Sequence, residues 1–291
     1  MHWTDRRRRF RAILEGKRCV HPASVFDPIS DRIAEDLGFE LGMLAGSVAS
    51  LAVLGAPDII LLTLSEFAAQ AYRIGRAGTL PLLVDADHGY GNALNVMRTV
   101  DELETAGVAA LTIEDTELPA AFGADKPRLV SIEEGVGKMR AAIVARQDRE
   151  LAVVGRTSAA SLSGIDDAVP RARAYAASGV DALFFVGIKK RGELDAIAAA
   201  VKVPIILGGA GAELEDAEYL ASRGVRIALQ GHLPIMAAVQ AVYEAMKALR
   251  SGARPASIPG IAAPELMQQV TRDRTYKSWA DAFLKPAGGQ G

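Results

Sequence analysis

Three acidic residues follow two neighbouring apolar segments of the sequence, and their spacing suggests a metal site. Asp85 and Asp87 come directly after the apolar run 81–84, and Glu114 follows the run 110–113. Side chains two residues apart on an extended chain project to the same side, so both aspartates can face one point. Three converging carboxylates repel one another unless a cation lies between them. An all-oxygen set without Cys or His suits Mg²⁺, with Mn²⁺ as a second possibility.

Polar residues follow other apolar runs in the same way. The sequence has Gly46-Ser47 after one run, Arg156-Thr157 close behind another and Gly231-His232 after the last. Gly89 and Gly91 come just behind the two aspartates, where residues without a side chain let the backbone turn closely around a site. An N-cap role could explain any single aspartate, but it does not explain the whole group. If the apolar runs are strands of one parallel sheet, these groups meet at one edge of it.

Eight short apolar runs are the candidates for those strands. They cover residues 19–25, 42–45, 81–84, 110–113, 151–154, 182–186, 204–207 and 226–229. Alanine-rich helical stretches separate them, and short continuous apolar runs are typical of parallel strands that are covered on both faces. The pattern predicts an α/β fold, a (β/α)8 TIM barrel with reactive groups at the carboxyl ends of its strands. A doubly wound open sheet is the alternative, but the glycine-rich turn expected after its first strand is absent.

Composition restricts the class of protein. The chain has 291 residues, half of them hydrophobic, with 33 basic and 35 acidic side chains and a net charge of −2. This length allows one large domain, and we expect a catalytic barrel over residues 1–250 and a C-terminal helical extension over 251–291. The near-neutral charge gives no basic field for a nucleic-acid partner. The longest uncharged stretch, 41–57, is interrupted by glycines and is too short to span a bilayer, so no membrane partner is expected.

The cysteine count and the N-terminus bear on the compartment. Cys19 is the only cysteine, so it forms no intramolecular disulfide, and this fits a reducing environment. The run Arg6–Arg9 is similar to part of an export signal, but no apolar segment of sufficient length follows it. We therefore expect a cytoplasmic protein.

Several motifs together resemble a known superfamily. Residues 85–92 read Asp-Ala-Asp-His-Gly-Tyr-Gly-Asn, residues 113–115 read Ile-Glu-Asp, and Arg156-Thr157 follows. This combination resembles the phosphoenolpyruvate mutase/isocitrate lyase superfamily over about residues 20–232. Segments 23–28, 46–50, 92–100 and 231–232 are most similar to its bacterial oxaloacetate decarboxylase branch.

The resemblance implies an enzyme, a carboxy-lyase that acts on a small-molecule 2-oxo acid. The expected reaction is the Mg²⁺-dependent decarboxylation of oxaloacetate to pyruvate and CO₂ through a metal-stabilised enolate. Asp85, Asp87 and Glu114 match the metal-binding acids of the family, directly or through water. The family also implies a homotetramer in which the last helix is exchanged between subunits.

The resemblance assigns substrate-binding and catalytic roles to four further residues. Ser47 matches the segment that holds the substrate carboxylate and carbonyl, and Arg156 matches the arginine that neutralises the same anionic group. Asp58 matches an active-site acid of the mutases. His232 matches a histidine of the decarboxylase branch, and we expect it to contact the substrate.

Some residues depart from the family pattern, and these departures disfavour one reaction of the superfamily and keep two alternative functions open. The segment 117–123 contains no cysteine, whereas the retro-aldol lyases use a cysteine there as proton donor, so isocitrate or methylisocitrate cleavage is disfavoured. Ser158 replaces an acidic or amide residue, and Gly208–Gly211 stands where the decarboxylase branch offers a tyrosine. Asp58 and these glycines keep open a phosphonopyruvate-type phosphorus–carbon bond mutase or hydrolase. A non-catalytic metabolite-binding barrel is the other alternative.

Overall fold

Parallel strands follow one another in sequence order through most of the chain. The computed structural model describes residues 3–209 and 211–285. Within them the strands are β1 (Ala23–Ser24), β2 (Gly42–Leu44), β3 (Leu82–Asp85), β4 (Ala110–Glu114), β5 (Ala152–Thr157), β6 (Ala182–Phe185), β7 (Ile205–Leu207) and β8 (Val225–Ala228). Each strand pairs in parallel with the next, in the order β1 to β8. All eight predicted strands are present, although the first is much shorter than the run 19–25.

The sheet curls until its two ends meet. Val20 precedes β1 and forms a parallel bridge with Ile227 of β8. The Val20 amide donates to the Arg226 carbonyl at 2.9 Å, and the Ala228 amide donates to the Val20 carbonyl at 3.0 Å. The prediction of a (β/α)8 TIM barrel is confirmed, and the alternative of an open doubly wound sheet is wrong.

Helices connect and cover the strands. The α-helices of the described residues are α1 (Trp3–Glu15), α2 (Pro28–Asp36), α3 (Gly46–Leu54), α4 (Leu64–Gly75), α5 (Ala93–Thr105), α6 (Ile132–Ala145), α7 (Ala159–Leu162), α8 (Ile165–Ala177), α9 (Arg191–Ala200), α10 (Ala217–Ser222), α11 (Leu233–Arg250), α12 (Pro264–Val270) and α13 (Asp273–Phe283). Side-chain caps fix several helix starts. At the start of α5, for example, the Asn92 side chain accepts from the amides of Leu94 and Asn95. None of the helices in the described ranges is long and apolar enough to cross a membrane.

The core explains why these runs form strands rather than surface segments. Every residue of β3, β4 and β6 is buried. Leu83, Leu111 and Ile113 are among the largest fully buried side chains, and burial of each such side chain contributes about 1.5–3 kcal/mol. The strands are therefore covered on both faces, as parallel strands require.

Strand ends differ slightly from the sequence prediction, and the difference affects the site. The predicted fifth strand ends at Val154, but β5 continues to Thr157 because Arg156 pairs in register with both Glu114 and Phe184. Arg156 is thus part of a strand and not of the following loop. Its backbone is held on both sides by the sheet.

The chain divides into two compact units, one up to Ile235 and one from Met236. The first unit contains all eight strands. The second contains most of α11, followed by α12 and α13, and the stretch 251–263 before α12 holds only the short 3-10 helix Pro255–Ser257. The predicted domain boundary at residue 250, which is the last residue of α11, stays a prediction, and residues 286–291 of the predicted tail lie outside the described ranges.

Candidate active site

A cavity of about 390 Å³ is associated with the carboxyl ends of the strands. Its lining includes all seven residues that the sequence singled out: Ser47, Asp58, Asp85, Asp87, Glu114, Arg156 and His232. They come from six different segments of the first unit, because Asp85 and Asp87 share one. The barrel therefore brings the predicted residues together, as its topology requires.

Asp85 is the last residue of β3 and is almost completely buried. Its Oδ1 atom accepts a hydrogen bond from the Thr112 hydroxyl on β4 at 2.6 Å. Its Oδ2 atom forms a close ion pair with Arg156. These two contacts fix both carboxylate oxygens, so the Asp85 side chain has a defined position in the cavity.

Arg156 lies between two of the predicted metal-binding acids. Its Nη2 atom is 3.2 Å from Glu114 Oε2, in addition to the pair with Asp85. The guanidinium group also lies over the Phe184 ring, 5.5 Å from its centroid. Burial lowers the pKa of Arg156, but Asp85 and Glu114 raise it by more, so the side chain stays a cation. Burial raises the pKa of Glu114 to about 7, and Arg156 opposes that increase.

Asp87 has an unusual backbone and a poorly compensated charge. Its φ of 47° lies in the left-handed region, which costs energy for a residue with a side chain. Its carboxylate lies against Gly46, where an added Cβ atom would come within 2.7 Å of Oδ1. Among the described residues, no side chain forms an ion pair or hydrogen bond with the Asp87 carboxylate. Burial, followed by the charges of Asp85 and Glu114, raises its pKa well above the usual value.

The donor set fits a hard divalent cation that keeps part of its water. Within the described parts of the chain, no group of three acidic, histidine or cysteine side chains is arranged to hold one ion by direct contact alone. Mg²⁺ is usually bound by one or two carboxylates and several waters. Asp87 lies near other acids, and no described side chain forms an ion pair with it, so such an ion would neutralise its charge.

Asp58 enters the cavity from the loop between α3 and α4. The buried Ser50 hydroxyl donates to the carbonyls of Ala56 at 3.3 Å and Pro57 at 3.1 Å, which anchors the start of the loop. Ile60 also lines the cavity and has a φ of 61°, a strained conformation for a β-branched residue. Burial and the nearby Asp85 charge raise the pKa of Asp58. The proton on this carboxyl group is therefore held more tightly than on an exposed aspartate.

Ser47 is the second residue of α3, at the edge of the cavity. Ala45 precedes the helix and offers no side-chain cap, so the first backbone amides of α3 have no such partner. The amino end of a helix attracts anions through these amides and the helix dipole. This end of α3 can bind a carboxylate together with the Ser47 hydroxyl.

His232 follows β8 and faces the cavity from the seam where the barrel closes. Its Nδ1 atom lies 2.8 Å from the Ser24 hydroxyl at the end of β1. Burial lowers the pKa of His232, and the charges of Asp85 and Asp58 oppose that decrease. The neutral imidazole is consequently favoured near neutral pH.

The glycine segment that follows β7 contributes to one wall of the cavity. Gly208 lines the cavity, and an added Cβ atom there would come within 2.7 Å of the Phe184 ring. Gly209 has a φ of 118°, which favours glycine. Ala210 lies outside the described ranges. Ser158, the other departure from the family pattern, also lines the cavity.

A buried hydrogen-bond network supports the ends of β4 and β5. Asp115 Oδ2 accepts from the Thr157 hydroxyl at 2.8 Å, from the Tyr175 hydroxyl at 2.8 Å and from Arg171 Nη1 at 3.0 Å. Gly135 makes room for the Tyr175 hydroxyl, since an added Cβ atom would come within 2.3 Å of it. The network fixes the residues that directly follow Glu114 and Arg156.

Three further residues contact the predicted site residues, although the sequence alone assigned them no role: Ser24, Thr112 and Phe184. Thr112 is two residues before Glu114 on the same strand. A period of two would therefore have placed its side chain on the same face as that acid. The Ser24–His232 contact needs the pairing of the first and last strands, so only the barrel topology could have indicated it.

Comparisons with known proteins agree with these features. Residues 10–250 match the family model described as phosphoenolpyruvate phosphomutase. A relative from Bradyrhizobium sp. (strain BTAi1 / ATCC BAA-1182), named oxaloacetate decarboxylase, is 60% identical over 98% of this chain and 99% of its own length.

Solved structures show the same fold. A phosphonopyruvate hydrolase in complex with oxalate and Mg²⁺ has a TM-score of 0.83 at 30% identity, covering 96% of this chain and 99% of that one. A 2,3-dimethylmalate lyase, described as a member of the PEP mutase/isocitrate lyase superfamily, has a TM-score of 0.82 at 28% identity, covering 95% and 98%. The resemblance to this superfamily is confirmed, and the chain belongs to the phosphoenolpyruvate phosphomutase family.

Proposed function

We propose that this protein is an oxaloacetate decarboxylase that uses Mg²⁺, with Mn²⁺ as a possible substitute, to convert oxaloacetate to pyruvate and CO₂. The observation that carries the proposal is the convergence of an acidic group and an anion-binding group in one cavity of about 390 Å³. The 60% identity to a relative named oxaloacetate decarboxylase, over almost the whole of both chains, supports this reaction.

Asp85, Asp87 and Glu114 would hold the metal ion, directly or through water. Their oxygen donors suit Mg²⁺, and among the residues that the structure describes no cation forms an ion pair with Asp87. When bound, the ion supplies a Lewis acid for the carboxylate and 2-oxo oxygens of the substrate. A solved relative of similar fold was crystallised with oxalate and Mg²⁺, which supports a site for such a pair in this fold.

Arg156 and Ser47 orient the head of the substrate. The amino end of α3 and the Ser47 hydroxyl bind the carboxylate next to the 2-oxo group, and Arg156 neutralises its charge. Arg156 is held by Asp85, Glu114 and the Phe184 ring, so its guanidinium group is already in place before the substrate binds. Such preorganisation lowers the cost of stabilising the negative charge that develops on the 2-oxo oxygen.

The bond between C3 and C4 then breaks, and C4 leaves as CO₂. The electron pair of that bond forms the C2–C3 double bond of an enolate, with the charge on the 2-oxo oxygen next to Arg156. His232 contacts the distal carboxylate before it leaves, and the apolar side chains of Phe184, Val186 and Leu229 line the same cavity. Water or the Asp58 carboxyl group delivers the proton to C3, which yields pyruvate.

Phosphorus–carbon bond chemistry on phosphonopyruvate is the second candidate. The solved structure named phosphonopyruvate hydrolase has the same fold. In this chain, glycines follow β7, where a backbone without side chains could approach a phosphonate. This chain is 30% identical to that protein, whereas it is 60% identical to the relative named oxaloacetate decarboxylase. Decarboxylation is therefore the better supported reaction.

The predicted homotetramer and cytoplasmic location belong to the same proposal. Helix α11 exposes large apolar side chains along its length, with Met236 62%, Tyr243 59% and Met246 66% exposed. Such a surface is typical of a subunit contact, and it supports the exchange of C-terminal helices between subunits. Cys19 is a free thiol, as expected in a reducing cytoplasm.

The experiment that tests the metal site compares Asp85→Ala with wild type in pyruvate release from oxaloacetate at saturating Mg²⁺. Removal of one carboxylate both weakens the ion site and frees Arg156, so we expect at least a 100-fold loss of kcat, equivalent to about 2.7 kcal/mol. Asp101→Ala, which changes an exposed acid on α5, is the matched control. Protein-free samples correct for decarboxylation by Mg²⁺ alone. Undiminished turnover in Asp85→Ala would remove this residue from the mechanism.

A further inference from the structure

Ser24 and His232 form a side-chain pair across the seam where the barrel closes. Ser24 ends β1 and is 8% exposed, and its hydroxyl oxygen lies 2.8 Å from His232 Nδ1. No other side chain in the described ranges forms a hydrogen bond with the imidazole ring. Within the described residues, this contact is the side-chain hydrogen bond that can orient the His232 ring.

The backbone of His232 is not held by strand pairing. The residue lies outside the sheet, between β8 and α11, and Gly231 before it has a φ of 82°. By contrast, the nearby seam is rigid, because β1 and β8 are joined by backbone hydrogen bonds through Val20. The Ser24 hydroxyl is fixed on β1, so it is well suited to position the His232 ring, which lies outside the strands.

The direction of the hydrogen bond follows from the chemistry of the substrate. A neutral imidazole has one N–H donor and one acceptor nitrogen. The distal carboxylate of a 2-oxo dicarboxylic acid can only accept, so the ring must offer it a donor. If Nε2 carries that proton, Nδ1 is an acceptor and the Ser24 hydroxyl must donate to it.

We propose that Ser24 is a positioning residue, which donates to His232 Nδ1 and so keeps the imidazole in its Nε2–H form for the distal carboxylate. This inference rests on the proposed function, since the contact between His232 and the substrate is part of it. Ser24 itself does not touch the reacting atoms.

A double-mutant cycle tests the coupling between the two residues. We expect Ser24→Ala to lower kcat/KM for oxaloacetate about tenfold, as is usual when an orienting hydrogen bond is removed. His232→Gln should cause a larger loss, and Ser24→Ala combined with His232→Gln should be no worse than His232→Gln alone. Two effects that simply multiply would overturn the proposal.

The matched control is Ser178→Ala. Its hydroxyl donates to the Tyr175 carbonyl at 2.6 Å at the end of α8, away from the cavity lining. It should leave kcat/KM unchanged, while circular dichroism verifies that all variants are folded. Equal losses in Ser178→Ala and Ser24→Ala would contradict a specific effect on His232.

Nitrogen NMR of histidine-labelled protein gives a readout that does not depend on turnover. The chain has four histidines, so the His232 signals can be assigned from their absence in His232→Gln. We expect the Nε2–H form in wild type and a mixture of both forms in Ser24→Ala. An unchanged ring signal in Ser24→Ala would overturn the proposal, even if oxaloacetate turnover is normal in wild type.

Kinetics and histidine NMR together distinguish a failure of the role proposed for Ser24 from a failure of the proposed function. If wild type does not act on oxaloacetate but Ser24→Ala alters the His232 signals, the proposed function is wrong and the pairing is supported. If wild type is active and Ser24→Ala changes neither kinetics nor signals, the function stands and the role of Ser24 is wrong.

Discussion

At the scale of single residues, the site is organised by an imbalance of charge. Arg156 pairs with Asp85 and Glu114, whereas no cation of the described part of the chain forms an ion pair with Asp87. The sequence could identify the acids and the arginine, because each of them lies next to the apolar run of its own strand. It could not show which acid Arg156 contacts, since those contacts join residues that lie far apart in the chain. The left-handed backbone of Asp87 was equally invisible, because that conformation depends on how the loop packs against Gly46.

Cys19 gives a prediction about pH. Burial raises the pKa of its thiol from 9.0 to about 11, although Arg226 opposes the increase. At pH 8 the native thiolate fraction should be about 100-fold below that of the unfolded chain, so alkylation by iodoacetamide should be slower by a similar factor. The native state keeps a proton that the unfolded chain releases above pH 9, so this group makes folding less favourable as the pH rises from 9 to 11.

Labelling rates measured from pH 7 to 11, with and without urea, test this prediction. The native rate should rise about tenfold for each pH unit up to the raised pKa. Identical rates in native and unfolded protein would show that Cys19 is not protected by burial.

At the scale of elements, the arginine run that resembled an export signal has a structural role. Arg7 Nε donates to the Val108 carbonyl at 3.0 Å, and its Nη2 donates to the Glu104 carbonyl at 2.6 Å in the last turn of α5. Arg6 similarly donates from Nη2 to the Gly78 carbonyl at 2.6 Å, just beyond α4. Arginine side chains satisfy the free carbonyls at helix ends and complement the helix dipole. Charge alone could not predict this, because the carbonyls lie about 70 to 100 residues away in sequence.

Arg7→Ala should destabilise the protein more than Arg8→Ala. Arg7 is almost fully buried and also pairs with Asp148 Oδ2 at 2.8 Å, so its loss removes the cation beside that carboxylate and a donor to each of two carbonyls. We expect the free energy of unfolding to fall by about 3 kcal/mol. Arg8 is 62% exposed, and its removal should cost less than about 0.5 kcal/mol. Urea unfolding followed by circular dichroism measures both, and equal effects would contradict the role assigned to α1.

At the scale of the whole molecule, the alternation of helix and strand was readable from the sequence. Continuous apolar runs such as 110–113 are buried on both faces, and this is why they appear as strands of a parallel barrel. The barrel rule then placed the polar residues behind those runs at one cavity. The end of β5 was not predicted, because Arg156 extends the strand through pairing with its neighbours and not through its own preference. The exchange of C-terminal helices remains a prediction, since it concerns more than one chain.

The central claim, metal-dependent decarboxylation of oxaloacetate, is tested most directly by assaying one purified sample on two substrates. Protein treated with a chelator should release pyruvate from oxaloacetate no faster than the protein-free blank, and added Mg²⁺ should restore turnover. The same sample should act on phosphonopyruvate with a kcat/KM at least 100-fold lower, a difference of about 2.7 kcal/mol in transition-state stabilisation. Full activity without metal, or a preference for phosphonopyruvate, would contradict the account.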